Sequence, residues 1–148
     1  EMGKFGAEGG STLLTGITFM GFDNMKARKE MAEAWYAMQV ENQKSGKTGG
    51  INILIDGRME AESGMIYTIK SPSDYQRYMN DKDAVFGDGE VPDGSCSYKA
   101  TTHNAARLAG EMVNVLNNHI SNKVKGMKYR TVPYHIAYEF PTLGYDVN

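Results

Sequence analysis

The stretch from residue 51 to residue 70 constrains the fold most, because apolar and polar side chains alternate along it. The odd positions are Ile51, Ile53, Ile55, Gly57, Met59 and Ala61, then Met65, Tyr67 and Ile69. The even positions are mostly polar, and Leu54 is the exception. Strict alternation is typical of half-buried strands, so this stretch is predicted to form the central β-hairpin.

The turn of this hairpin sets which residues pair. A three-residue loop at 62–64 would place its glycine in the left-handed conformation that such loops need. This loop keeps the odd positions on one face, with Met59 opposite Tyr67. It also sets Asp56 opposite Lys70 on the other face, which is expected to meet solvent.

Two longer helices are expected to cover the odd-numbered face. The first is capped by Asp23 or Asn24 and runs to about Gln43. Its buried stripe is predicted to be Ala27, Met31, Ala34, Trp35 and Met38. Tyr36 and Val40 widen this apolar surface, which indicates either a wide core face or contact with another subunit.

The remaining elements follow from caps and alternation. A short helix begins with Ser71 as its cap and Pro72 as its first residue, and it ends near residue 80. Another helix is capped by Thr101 or Thr102 and ends near residue 125. Strands are predicted at residues 12–20 and 95–100.

Aromatic or aliphatic residues occupy every second position of the last predicted strand, residues 132–140. Pro133 cannot donate to a strand ladder, so this strand lies at a sheet edge or begins after Pro133. A second chain can add at such an edge. Pro141 and Gly144 are expected to end the fold. The interface candidates are therefore Tyr36, Val40, Tyr134, Ile136, Tyr138 and Phe140.

The element order β-α-β-β-α-β-α-β predicts one α+β domain at residues 12–148, after a flexible glycine-rich arm at residues 1–11. The sheet is expected to be antiparallel or mixed. If the short helix and the strand at 95–100 are an insertion, the order fits the split β-α-β, ferredoxin-like arrangement. A length of 148 residues suits one hydrophobic core.

Composition points to an ordinary globular chain. Hydrophobic residues make up 41% of the chain, charged residues make up 23%, and the net charge is −2. The single cysteine, Cys96, cannot form an internal disulfide, which favours a reducing, cytoplasmic location. Neither a membrane-spanning run nor a signal peptide is apparent in the sequence.

Two loops resemble ligand sites in part. Lys47-Thr48 lacks the first glycine of a phosphate loop, and the stretch follows a helix. The acids after residue 80 are Asp81, Asp83, Asp88, Glu90 and Asp93. The first two fit a calcium loop, but Val85 and Phe86 do not fit its fifth and sixth positions. We interpret both loops as connections, with no cofactor and no metal.

No catalytic constellation is evident in the sequence. The three histidines, His103, His119 and His135, share no metal-ligand spacing. Asp56, Glu60 and Glu62 follow one predicted strand with Arg58 between them, which is typical of a solvated face. We therefore expect no catalytic residue and a protein that is not an enzyme.

One run of residues is basic. It consists of Lys123, Lys125, Lys128 and Arg130, with tyrosines nearby. Basic side chains contact phosphates and aromatic rings stack on bases, so this run is a candidate nucleic-acid contact. Cations are also favoured at a helix C-terminus by the helix dipole.

In element order and size, this outline resembles small phage head-tail connector and tail-completion proteins. The leading hypothesis is therefore a non-enzymatic assembly protein that forms a homo-oligomer. It is expected to contact other assembly proteins and, if it is viral, to be part of the virion. The first alternative is a small-ligand or nucleotide-metabolite binder, or a small enzyme, with a pocket near Tyr67, Tyr75, Tyr78 and Lys70. The second alternative is a nucleic-acid adaptor.

Overall fold

Five strands and three helices make up the described part of the chain, residues 15–47, 49–86, 102–124 and 129–148 of a computed structural model. In chain order they are β1 (Ile17–Met20), α1 (Met25–Lys44), β2 (Ile53–Met59), β3 (Ser63–Ile69), α2 (Pro72–Asn80), α3 (Thr102–Val124), β4 (His135–Glu139) and β5 (Tyr145–Val147). The predicted α+β class is confirmed. The arm, Cys96 and the strand predicted at 95–100 lie outside the described residues.

The starts of α1 and α2 follow the predicted caps. The Asn24 side chain accepts a hydrogen bond from the backbone N–H of Ala27 at 2.8 Å. The Ser71 hydroxyl accepts one from the N–H of Asp74 at 3.1 Å, and Pro72 is the first residue of α2. Each cap satisfies an N–H that has no partner within its helix.

The sheet follows chain order, β1-β2-β3-β4-β5. β1 and β2 are parallel, and the other neighbouring pairs are antiparallel. Because β1 and β2 are direct neighbours, the β1-α1-β2 unit is not split, and the ferredoxin-like alternative is not confirmed. β5 was not predicted, since Pro141 and Gly144 were expected to end the fold.

The register of the central hairpin differs from the prediction. Met59 pairs with Gly64 and Asp56 pairs with Tyr67. Four residues, 60–63, therefore separate the paired Met59 and Gly64, and the predicted pairing of Asp56 with Lys70 is wrong. The extra loop residue reverses parity across the hairpin, so odd positions of β2 share a face with even positions of β3.

Asn104, a fully buried residue in the first turn of α3, contacts the residues between Met59 and Gly64. Its Nδ2 donates to the carbonyls of Glu60 at 2.7 Å and Ser63 at 2.9 Å. Its Oδ1 accepts the hydroxyl of Tyr138 at 2.7 Å. The loop is thus stabilised by a residue more than 40 positions away along the chain.

Helices cover both faces of the sheet. The α3 face buries Ile53, Ile55, Ile66, Val115 and Ile136. The other face buries residues of α1 and α2 against the sheet, including Met31, Trp35, Leu54, Tyr67 and Tyr78. The prediction that both longer helices cover one odd-numbered face is wrong, because α3 packs on the odd positions of β2 and the even positions of β3, and α1 packs on the opposite face.

β4 is not an edge strand, because β5 pairs with it on the side away from β3. It begins after Pro133, as the second predicted option allowed. Tyr134, Ile136 and Tyr138 are only 5%, 3% and 1% exposed, so their side chains belong to the core of this chain. The edge prediction was wrong because the sequence signal of the three-residue β5 is weak.

Candidate functional site

Asp56 lies at the centre of a buried ionic cluster that joins α1, β2 and α2. Its Oδ1 accepts a hydrogen bond from Nη1 of Arg28, and its Oδ2 accepts from Nη2 of Arg58 at 2.7 Å. Tyr78 donates its hydroxyl to the same Oδ2 at 2.9 Å. Asp56 is fully buried, and a buried carboxylate needs such partners to remain charged. We name Arg28, Asp56, Arg58 and Tyr78 the ionic cluster.

The predicted solvent exposure of Asp56 and Arg58 is wrong. α1 and α2 cover their face, and the side-chain exposures are 0% and 11%. Arg28 was missed as a buried residue. It precedes Ala32 and Trp35 by four and seven positions, so the helical period places it on the buried stripe. That spacing is the sequence signal for its burial.

Protonation within the ionic cluster follows from burial and from the carboxylate. Burial and the charge of Asp56 raise the pKa of Tyr78, so its hydroxyl stays protonated and donates. Burial lowers the pKa of Arg28, whereas Asp56 opposes this effect. Guanidinium groups remain charged in proteins, so two buried cations share one anion.

Arg58 connects the ionic cluster to the turn that follows α2. It donates to the backbone carbonyls of Asp83, at 3.3 Å, and Ala84. Within the turn itself, the Asp81 Oδ1 accepts a hydrogen bond from the N–H of Asp83 at 3.0 Å. The buried cluster therefore fixes the position of the turn at 81–86 relative to the sheet.

An open cleft of about 690 Å³ lies between this turn, α2 and the strands β3 and β4. We name it the α2 cleft. Six of its lining residues carry its chemistry, and they are Tyr67, Arg77, Asp81, Asp83, Tyr134 and His135. Aromatic rings, acids and a guanidinium thus share one concave surface, where rings and polar groups together can orient a small molecule.

The rings of the cleft contact one another. The ring centroids of Tyr67 and His135 lie 4.6 Å apart, and those of Tyr67 and Tyr134 lie 5.8 Å apart. The guanidinium of Arg77 lies 3.8 Å from the centroid of Tyr134. Such edge-to-face, tilted and cation-π contacts hold the rings as a rigid wall.

His135 is neutral at pH 7, because burial lowers its pKa. Its Nε2 is buried and has no hydrogen-bond partner within the described residues. Burial likewise raises the pKa of Tyr67 to about 12, so this tyrosine keeps its proton. The cleft therefore presents neutral polar rings beside the charges of Arg77 and Asp81.

The structure brings some predicted site residues together and separates others. Tyr67 lines the α2 cleft, and Tyr78 lies in the ionic cluster. Tyr75 stacks on Tyr36 with ring centroids 4.0 Å apart, so the wide face of α1 meets α2. Lys70 instead lines a second pocket, together with the interface candidate Val40.

The candidate nucleic-acid residues are only partly described. Lys123 is exposed at the end of α3, and Lys125 and Lys128 lie outside the described residues. Arg130 is exposed, and its backbone carbonyl accepts the Asn122 Nδ2 at 2.7 Å. The nucleic-acid contact stays a prediction.

The other candidate residues are dispersed. His119 is buried on α3, whereas His103 packs its ring against Phe140, with centroids 4.8 Å apart. Among the described residues, no three His, Cys, Asp or Glu side chains are grouped as a metal site. No helix in the described ranges has the length and apolar character needed to cross a membrane.

Comparison with protein-family models and with curated proteins finds no match to this chain.

Proposed function

We propose that this protein binds a small polar ligand with a flat ring, of nucleoside or nucleotide chemistry, in the α2 cleft. The supporting observation is the convergence of three rings and both signs of charge on one cleft. Half-buried His135 offers a ring contact above a floor formed by the nearly buried Tyr67 and Tyr134, and Arg77 and Asp81 offer charges for polar groups of the ligand. Rigid rings and fixed charges are what a pre-organised binding site requires.

The ionic cluster supports this proposal. A cleft wall built on a turn is precise only when the turn is held by fixed side chains. Arg58 meets that condition, since it bonds to the turn carbonyls of Asp83 and Ala84 and to the buried Asp56. Its guanidinium also lies 4.8 Å from the ring centroid of Tyr67, which lines the cleft.

A thermal-shift series with adenosine, guanosine, AMP and GMP tests the proposal. A ligand at 100 times its dissociation constant stabilises the native state by about 2.7 kcal/mol. For a chain of this size the melting temperature should then rise by about 5–10 °C. Arg77→Gln and Asp83→Asn change exposed side chains of the cleft and should reduce the shift. Lys26→Gln is the matched control on α1. Shifts absent for all four compounds, or unchanged in the cleft variants, would contradict the proposal.

A second candidate function, assembly as an oligomer, is favoured by the outer edge of β5. Tyr145 and Val147 of β5 are 51% and 42% exposed, and Leu143, in the turn before β5, is 84% exposed. Such an edge can accept a strand of another chain. In this proposal the protein is a structural component of the phage connector or tail-completion kind, located in the cytoplasm and, if viral, in the virion.

Light scattering coupled to size exclusion tests the assembly proposal. Oligomers should elute well above the 16.4 kDa of one chain. Val147→Lys should shift them toward monomer, because an edge lysine disfavours strand addition. A stable monomer, with or without residues 1–11, would contradict it.

A further inference from the structure

A second pocket, of about 450 Å³, lies where the end of α1, the start of α2 and the end of α3 meet. Lys47, Lys70 and Lys123 line it, and we name it the lysine pocket. No Asp or Glu is among its described lining residues. In a chain with a net charge of −2, three lysines without an acid form a local positive site.

Two further observations indicate positive potential at this place. Lys123 and Lys70 both lower the pKa of His119, after the larger effect of burial, so charges from α3 and from the end of β3 act on one region. Pro72, the first residue of α2, also lines the pocket, and the N-terminus of a helix carries partial positive charge. Asp74 offsets part of this charge, since its Oδ2 accepts the N–H of Lys70 at 3.2 Å.

The rest of the wall is apolar, with one unsatisfied amide. Tyr36, Val40 and Ile51 contribute aromatic and aliphatic surface. Gln39 also lines the pocket, and its Nε2 is buried without a hydrogen-bond partner within the described residues. A donor of this kind is costly to leave unpaired, and an oxygen of a ligand would satisfy it.

We propose that the lysine pocket binds an organic anion, with its phosphate or carboxylate group at the three lysines and its apolar body against Tyr36, Val40 and Ile51. Lys47 reaches the pocket from the linker that follows α1, without the strand-loop-helix context of a phosphate loop. The site therefore uses point charges of lysines rather than a cradle of backbone N–H groups. It is separate from the α2 cleft.

Titration of the ¹⁵N-labelled full chain, with the amide signals of Gly49 and Gly50 as reporters, tests this proposal. Four probes are compared, and they are phenyl phosphate, benzoate, benzyl alcohol and inorganic phosphate. At least one organic anion should saturate these signals and bind about tenfold more tightly than benzyl alcohol and inorganic phosphate. The order of phenyl phosphate and benzoate distinguishes the two anionic groups. Binding should weaken as salt is raised.

Variants locate the site. Lys47→Gln and Lys123→Gln change exposed side chains, and each should weaken anion binding about threefold. Lys26→Gln, at the other end of α1, and Lys82→Gln, in the α2 cleft, should leave it unchanged. Lys70 is left intact, because its Nζ donates to the Val132 carbonyl at 2.7 Å.

Three outcomes would overturn the proposal. The first is that neither organic anion shows saturable binding at millimolar concentration. The second is that benzyl alcohol binds as tightly as the organic anions. The third is that Lys82→Gln weakens anion binding as much as Lys47→Gln and Lys123→Gln do. Lys82 lines the α2 cleft and does not line the lysine pocket. A loss of anion affinity in Lys82→Gln would therefore place the anion in the α2 cleft, and binding of nucleosides in that cleft is tested independently.

Discussion

At the scale of single residues, Asp56 shows how a polar side chain can organise an interior. Arg28 and Tyr78 lie 28 and 22 positions from Asp56 along the chain, and both meet its carboxylate. An alternating pattern cannot reveal these partners, since it records only the period of one strand. The caps Asn24 and Ser71 were predictable because a cap acts on backbone groups within three residues.

Replacing Asp56 with Asn should strongly destabilise the protein. The change leaves Arg28 and Arg58 as buried cations without an anion, which costs about 3–5 kcal/mol in the free energy of unfolding. Urea denaturation followed by circular dichroism measures this loss. Glu60→Ala, an exposed acid in the adjoining loop, is the control and should change stability by about 0.5 kcal/mol or less. A loss below about 1 kcal/mol in Asp56→Asn would contradict the role of the ionic cluster.

At the scale of elements, the close approach of α3 to β2 depends on Gly57. A Cβ at this position would lie 2.5 Å from Sδ and 2.9 Å from Cε of Met112. The missing side chain of the glycine lets Met112 and Leu108 of α3 lie directly on the strand. The sequence showed the alternation that places Gly57 on an inward face, but not which helix would cover it.

Gly57→Ala should destabilise the protein by about 1 kcal/mol or less, because the atoms that the new Cβ meets are the far end of the flexible Met112 side chain, which can move aside. Because Met112→Ala removes these atoms, the double variant Gly57→Ala with Met112→Ala should show a favourable coupling in a double-mutant cycle. Chemical denaturation of the four proteins gives the coupling energy.

Gly110→Ala is the matched control on the exposed face of α3, where a Cβ meets no atom within 4 Å. It should stabilise the protein by about 0.5–1 kcal/mol, since alanine favours helix more than glycine. Independent effects of Gly57→Ala and Met112→Ala would show that the two residues do not compete for space.

At the scale of the whole molecule, helices on both faces turn the sheet into the middle layer of three. This layering buries tyrosines and histidines together with the ionic cluster, and burial shifts their pKa values. The folded state consequently holds the protons of some groups more tightly than the unfolded state, and those of other groups less tightly. Stability should then depend on pH at both ends of the neutral range.

On the alkaline side, burial raises the pKa of Tyr67 to about 12 and also raises that of Tyr78 and Tyr134. Stability from these groups is complete below about pH 10 and falls as pH rises, because the unfolded tyrosines lose their protons first. On the acid side, burial lowers the pKa of His119 and His135. Their contribution is complete above about pH 6.5 and falls below it, because the unfolded histidines gain protons first.

Denaturation curves from pH 5.5 to 11 measure both limbs. Each group contributes up to about 1.4 kcal/mol per pH unit where only the unfolded state titrates. Tyr67→Phe should reduce the alkaline slope by one such contribution and leave the acid limb unchanged. An alkaline slope identical to that of the natural sequence would show that Tyr67 has an ordinary pKa in the folded protein.

Local hydrogen bonds and the period of apolar residues were enough to predict the three helices, the caps of α1 and α2, the hairpin and the α+β class. The hairpin register, the layer on which α1 lies, the interior position of β4 and the burial of Asp56 depend instead on contacts between residues distant in sequence. Leu54 was the early sign, because its apolar side chain breaks the alternation on a strand that is buried on both faces. Partners distant in sequence, Arg28 for Asp56 and Asn104 for the loop, make that burial stable, and their contacts exist only once the chain has folded.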